Sequence, residues 1–169
     1  MVTTGADVEA VALGEGGIIQ GARAGTVLVD MGTIPPDTAR RIAARLAERG
    51  IEAIDAPVSG GEVGARNATL AIMAGGKAEV LARVRPLLEK LGRTLVHVGP
   101  SGAGQVAKAC NQMIMVSCIE AVAEAMLLAQ RAGADPEKVR LALAGGSAGS
   151  RVLEVFGAKM TARDFKAGV

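Results

Sequence analysis

At 169 residues the chain is long enough for one ordinary domain, or for one and part of another. Half of it is hydrophobic and the formal net charge is +2, so a core is affordable and no polyelectrolyte partner is implied. Phe156 and Phe165 are the only aromatics, which excludes a stacking platform for single-stranded nucleic acid.

The elements alternate through the first two thirds. Val2 to Thr4 reads as the end of a strand, followed by an acidic helical stretch, ADVEAVALG. TVLVD (Thr26 to Asp30) is a short apolar run bounded by turn residues, the pattern of a buried parallel strand. Pro35, Pro36 and Asp37 then open a helix, proline being favourable in the first turn, and that helix stops at Gly50. IEAIDAPV (Ile51 to Val58) and TLAIMAGG are further strands, AEVLARVRPLLEKLG a further helix, and TLVHV (Thr94 to Val98) the last strand. Strands alternating with helices of this length predict a doubly wound parallel sheet. Beyond Gly104 only helical patterns remain. The expected fold is α/β: a partial doubly wound Rossmann-type sheet over 1–101, then an all-α domain over 102–169 opened by one long helix.

That helix is predicted from Gln105 to Ala132, about 28 residues and roughly 40 Å long. Apolar residues surround nearly its whole circumference, so it is expected to be buried. Lys108, Asn111 and Gln112 share one face of its first turns, at i, i+3 and i+4. Lys108 therefore has two readings: a functional lysine, or a long side chain snorkelling to water. Gly102, Gly104 and Ala107 match G-x-G-x-x-A between strand and helix. A dinucleotide fingerprint is nevertheless rejected, because such a helix is about half as long and leads back to a parallel strand.

Cys110 and Cys118 lie on this one helix, about 12 Å apart in rise, and cannot pair with each other. With no C-x-x-C metal pattern, a cytosolic, thiol-reduced protein is the simplest reading. Met1 to Leu13 has no basic n-region and resembles no secretory signal. Lys108, Asn111, Gln112, Glu120 and Glu124 interrupt the long helix, so a membrane span is not expected.

Two loops follow strands and sit where open α/β sheets bind ligands, at the carboxyl ends. In the first, Ser59, Gly60, Gly61 and Gly64 can form a nest of amides for an anion such as a carboxylate; an ordinary βα turn reads the same. In the second, MGTIPP, Thr33 offers a hydroxyl, although a proline-built helix entry explains the loop as well. His97, the one histidine, lies on a strand and reads as structural.

DAPVSGGEVGA, NATLAIMAGG and VHVGPSGAGQVAKACNQ together resemble the β-hydroxyacid dehydrogenase family, which includes 3-hydroxyisobutyrate dehydrogenase and tartronate semialdehyde reductase. The similarity runs from about Val2 to Gly168. VDMGTIPP resembles the family's D-x-S-T-x-x-P loop near the nicotinamide, with Gly32 where serine is usual. AGGSAGSRVLE (Ala144 to Glu154), ahead of KMTARDFKAGV, is more similar to the tartronate semialdehyde reductase branch.

The resemblance implies an NAD(P)-dependent reductase of a small semialdehyde acid, tartronate semialdehyde to glycerate, or 3-hydroxyisobutyrate dehydrogenase or a related reductase. It implies Lys108 as general acid, Asn111 as a substrate contact beside it, Ser59, Gly60 and Gly61 as the substrate carboxylate loop, and Thr33 as a cofactor contact. NADP and NAD remain equal alternatives. The small hydroxy or oxo acid is then the partner, with no nucleic acid and no membrane, in a homo-oligomer. Family members open with a strand and a G-x-G-x-x-G loop. Here GEGGII (Gly14 to Ile19) lacks the final small residue and is read as preceding no helix. The chain is therefore expected to be truncated at both ends, with the first βαβ unit absent. A non-catalytic remnant serving as a dimerisation module is the rival reading.

Overall fold

A computed structural model describes residues 1–166; Gly168, where the family resemblance ends, lies outside them. The chain forms two compact units, Met1–Ala109 and Cys110–Val169.

The first unit is an α/β layer structure around a five-stranded sheet. Strands β1 (Val27–Asp30) and β2 (Glu52–Asp55) pair in parallel, with Asp30 opposite Asp55 at their carboxyl ends. Helix α3 (Pro36–Ala47) joins them and buries Ala39, Ile42 and Leu46, one stripe of its surface. Strand β4 (Leu70–Gly75) is the hub: it pairs in parallel with β5 (Gly92–Gly99) through helix α5 (Ala78–Leu88). Alternate residues feed opposite faces. Val27 and Val29 pack with the cluster of Ile54, Ile72, Leu81 and Leu88, whereas Leu28 and Ala53 pack with that of Val8, Ile42, Leu46 and Ile51. Helices α5 and α3 therefore cover opposite faces of the sheet.

The sheet is parallel-rich but mixed, which corrects the all-parallel expectation. Strand β4 runs antiparallel to β2 and to β3 (Val58–Ser59). The cause is the connection: residues 60–69, carrying the short helix α4 (Gly61–Arg66), are too few for a crossover, which takes a dozen or more. The predicted strand Ile51 to Val58 is likewise split between β2 and β3 at Ala56 and Pro57, proline having no N–H to give a ladder.

Two further expectations change at the start of the chain. Val2 to Thr4 ends no strand; Thr4 is the N-cap of α1 (Gly5–Leu13), its hydroxyl accepting from the Asp7 N–H while the Asp7 carboxylate accepts from the Thr4 N–H. This reciprocal cap was readable as T-x-x-D. After GEGG there is a single helical turn, α2 (Ile18–Gly21), with Gly17 as its N-cap.

Helix α6 (Ala103–Arg131) begins in the first unit and continues through the second. In the second unit, Val122 and Met126 of α6 form a core with Leu153, against which Val139, Leu143 and Met160 pack. These come from α7 (Pro136–Ala144), a π-helical turn (Leu153–Gly157) and α8 (Ala158–Thr161). The expectation of a buried α6 fails: Met113, Ile114, Val116, Leu127 and Leu128 are exposed, Met113 by 71 %. Residues 1–166 supply too few elements to surround a helix that is apolar on every side. An 18-residue stretch of α6 reaches a mean hydropathy of 1.6, so by length and composition it could cross a membrane despite its polar interruptions. Core helices of soluble proteins meet that same criterion.

Candidate active site

The carboxyl ends of β1 and β2 meet the start of α6, and a buried carboxylate makes the joint. Asp55 accepts the Gly102 N–H at 2.7 Å and the Gln105 N–H at 3.1 Å. These are orphan donors of the α6 N-terminus, satisfied here by a residue from another element. Burial pushes the Asp55 carboxyl above its ordinary value, and the main-chain donors oppose that rise. The helix end that a dinucleotide phosphate would need is thus already filled, a physical reason to set aside the Gly102–Gly104 fingerprint. Its glycines serve close packing instead. A Cβ on Gly104 would lie 2.3 Å from the Met73 carbonyl oxygen, and one on Gly75 would lie 2.7 Å from the Gly104 nitrogen.

One turn further on, Lys108 is half-buried and its Nζ donates to the Val58 carbonyl oxygen at 2.8 Å. Val58 directly precedes Ser59, so this bond sets the lysine against the start of the Ser59–Gly60–Gly61 loop. Desolvation holds the Lys108 ammonium below the ordinary lysine range. Ser59 is half-buried, while Gly60 and Gly61 are exposed and adopt φ values of 137° and 60°. Both lie in the left-handed region that favours glycine.

Thr33 is exposed between Gly32 and Ile34, which are buried. The Gly32 N–H is held by Asp30 Oδ1 at 2.9 Å; Asp30 Oδ2 is buried and has no partner among the described residues. A cavity of about 20 Å³, lined in part by Asp30, Asp55 and Ser101, lies in this corner and is large enough for one water. Asn111, on α6 in the second unit, is half-buried and its Nδ2 donates to Gln112 Oε1 at 2.9 Å. His97 Nε2 sits 2.8 Å from the Gly76 carbonyl oxygen, away from Lys108 in role and partner. Cys110 and Cys118 are both free thiols. Asp55 and Gln105 were missed in the sequence; a lone acid closing a strand and a glutamine on an apolar helix were the available signals.

Residues 1–99 match the sequence profile of the NAD binding domain of 6-phosphogluconate dehydrogenase. Residues 102–169 match that described as NAD-binding of NADP-dependent 3-hydroxyisobutyrate dehydrogenase. The chain is 49% identical over 168 residues to 2-hydroxy-3-oxopropionate reductase of Escherichia coli (strain K12), covering 99% of this chain and 58% of that protein. It is 41% identical to a Pseudomonas aeruginosa 3-hydroxyisobutyrate dehydrogenase, covering 92% of this chain and 52% of that one. Among solved structures, Mycobacterium tuberculosis 3-hydroxyisobutyrate dehydrogenase with L-serine superposes with a TM-score of 0.86 at 34% identity, over 99% of this chain and 59% of that one. The chain thus spans a little over half the length of these relatives. The two profile matches, which together span nearly the whole chain, joined to these relatives and to the sheet and long helix described above, show that the chain belongs to the 3-hydroxyisobutyrate dehydrogenase-like family of NAD(P)-linked oxidoreductases.

Proposed function

We propose that the protein reduces a small semialdehyde acid with a nicotinamide cofactor, tartronate semialdehyde first, and that Lys108 is the proton donor. One observation carries this reading: the half-buried Lys108 Nζ, held at 2.8 Å on the Val58 carbonyl beside Ser59. Among the described residues, a single bond to a neutral oxygen fixes the ammonium without a carboxylate to stabilise its charge, and leaves two N–H groups for a substrate oxygen. Desolvation lowers its pKa toward working pH, which suits it to give a proton to a developing alkoxide and to take one in the reverse direction. Ser59 and the exposed amides of Gly60 and Gly61 would receive the substrate carboxylate. Asn111, one turn beyond Lys108, would hydrogen-bond the substrate.

A reduced nicotinamide, when bound, supplies the hydride. Thr33 fits its nicotinamide end, being an exposed hydroxyl at the carboxyl end of β1. We assign no residue to the pyrophosphate, because Asp55 fills the α6 N-terminus and prolines replace N–H donors at that of α3. NAD and NADP stay equal alternatives.

The test uses a chain that includes the first βαβ unit implied by the resemblance, assayed with tartronate semialdehyde and NADH or NADPH. Lys108→Ala should lower kcat by about 10²- to 10⁴-fold, with cofactor affinity little changed. Near-normal turnover would leave Lys108 as a snorkelling side chain.

The exposed apolar residues of α6 favour a second reading, in which this segment also assembles a homo-oligomer.

A further inference from the structure

Gln105 is only 2 % exposed, and its side chain belongs to none of the roles assigned so far. Its amide straddles Thr33. Nε2 donates to the Gly32 carbonyl oxygen at 2.9 Å, and Oε1 accepts the Ile34 N–H at 3.1 Å. Its own main-chain N–H is fixed on Asp55 Oδ2. A buried primary amide is destabilising unless donor and acceptor are both satisfied, and here each is satisfied by the same loop. That loop has little other freedom. Asp30 holds the Gly32 N–H, Ile34 is buried, and the following proline restricts Ile34 to extended conformations. The loop bearing Thr33 and the helix bearing Lys108 are 71 and 73 positions apart at these two bonds, yet one side chain joins them. Lys108 stands three residues beyond Gln105 on the same helix.

We infer that Gln105 is a positioning residue: its side-chain amide latches the Thr33 loop to the helical turn that carries Lys108. The catalytic meaning of this latch rests on the proposed function, in which Thr33 meets the cofactor and Lys108 gives the proton. The latch itself is testable without turnover.

Amide hydrogen exchange in the 169-residue chain reads it, with Ile34 as reporter and Ile72 in β4 as internal control. Gln105→Met keeps the approximate volume and removes donor and acceptor, so Ile34 should exchange about tenfold faster than in wild type, relative to Ile72, at every pH. Gln105→Glu at pH 8 keeps an acceptor for the Ile34 N–H but sets a carboxylate oxygen against the Gly32 carbonyl oxygen, so Ile34 should lose part of its protection. It should recover protection toward pH 5, because a protonated carboxyl again donates to Gly32 and accepts from Ile34. A role in packing alone would leave the isosteric Glu variant as protected as wild type at both pH values, and that result overturns the inference. Should the Met variant lose protection at Ile72 as well, the Glu variant compared with itself across pH decides; no recovery on acidification, with Ile72 intact, also overturns it. In an active enzyme, Gln105→Glu should lower kcat more than it raises KM for the semialdehyde, with the same acid recovery. Wild type without reductase activity but with these exchange results would remove the proposed function and leave the latch standing.

Discussion

Asp55 and Gly102 are 47 positions apart in sequence, and the carboxylate of one accepts the main-chain N–H of the other at 2.7 Å. A strand end thereby caps a helix that the same chain begins much later. Without Asp55 the Gly102 and Gln105 N–H groups would be left in a buried corner with no acceptor. Asp55→Ala should destabilise the first unit by about 3 kcal/mol, and Asp55→Asn by about half that, since an amide retains one acceptor oxygen. Urea unfolding gives the answer from the midpoint at constant slope. An alanine variant within about 0.5 kcal/mol of wild type would mean that water replaces the carboxylate at little loss.

Lys108 carries a stability consequence apart from catalysis. Its folded pKa lies below the ordinary 10.5 through desolvation, so the unfolded chain binds this proton more readily. The penalty is fully present below the folded pKa and disappears as pH rises toward 10.5. Lys108→Met should therefore be modestly more stable than wild type at pH 7, with the difference closing in the alkaline range. Urea midpoints from pH 7 to 10.5 measure it, and a difference that does not vary with pH would place the ammonium in full contact with solvent.

In the second unit, Arg140 Nε and the Thr161 hydroxyl both donate to Glu137 Oε2, at 2.8 and 2.7 Å. These bonds, Arg140's first, lower the Glu137 pKa from 4.5 to about 2. A depressed carboxylate adds stability above its unfolded value, and that stability is lost as pH falls from 4.5 toward about 2. Thr161→Val removes one donor, so the Glu137 carboxyl should titrate at higher pH than in wild type. Carbon-detected NMR titration of its side chain is the measurement; an unchanged midpoint would show that Arg140 alone sets it.

The exposed side chains of α6 make an association prediction. Ile114, 66 % exposed, and Leu128, 70 % exposed, belong to an apolar surface that water covers poorly. The 169-residue chain should self-associate, and Ile114→Lys with Leu128→Lys should shift it toward monomer. Light scattering at micromolar concentration distinguishes these outcomes, and a monodisperse wild-type monomer would sink the idea.

Much of the architecture was legible because its causes are local. Apolar runs bounded by turn residues located β1, β4 and β5, and the prolines at 35 and 36 with Gly50 bracketed α3. The orientation of β4 was not legible in that way, since it depends on whether residues 60–69 cross the sheet or fold back. The burial of α6 was misread because an apolar circumference says what a helix would bury, and only its neighbours decide whether it does. At the candidate site, Lys108 stood out as a cation on an apolar helix, and family resemblance added Ser59, Gly60, Gly61, Asn111 and Thr33. Asp55 and Gln105 stayed hidden because their meaning lies in partners 47 to 73 positions away.

The corner where Gly75 meets Gly104 also sets where this protein can be divided. The two sequence profiles adjoin between residues 99 and 102, which invites a cut there for making hybrids with relatives. Such a cut would part Asp55 from the N–H groups it holds and Gln105 from the loop it latches. It would also bring a foreign residue to a seam with no space for even a methyl group. The unit of exchange is therefore the block from Asp30 to Lys108, moved whole, and a hybrid joined inside it should need matched glycines on both sides of the join.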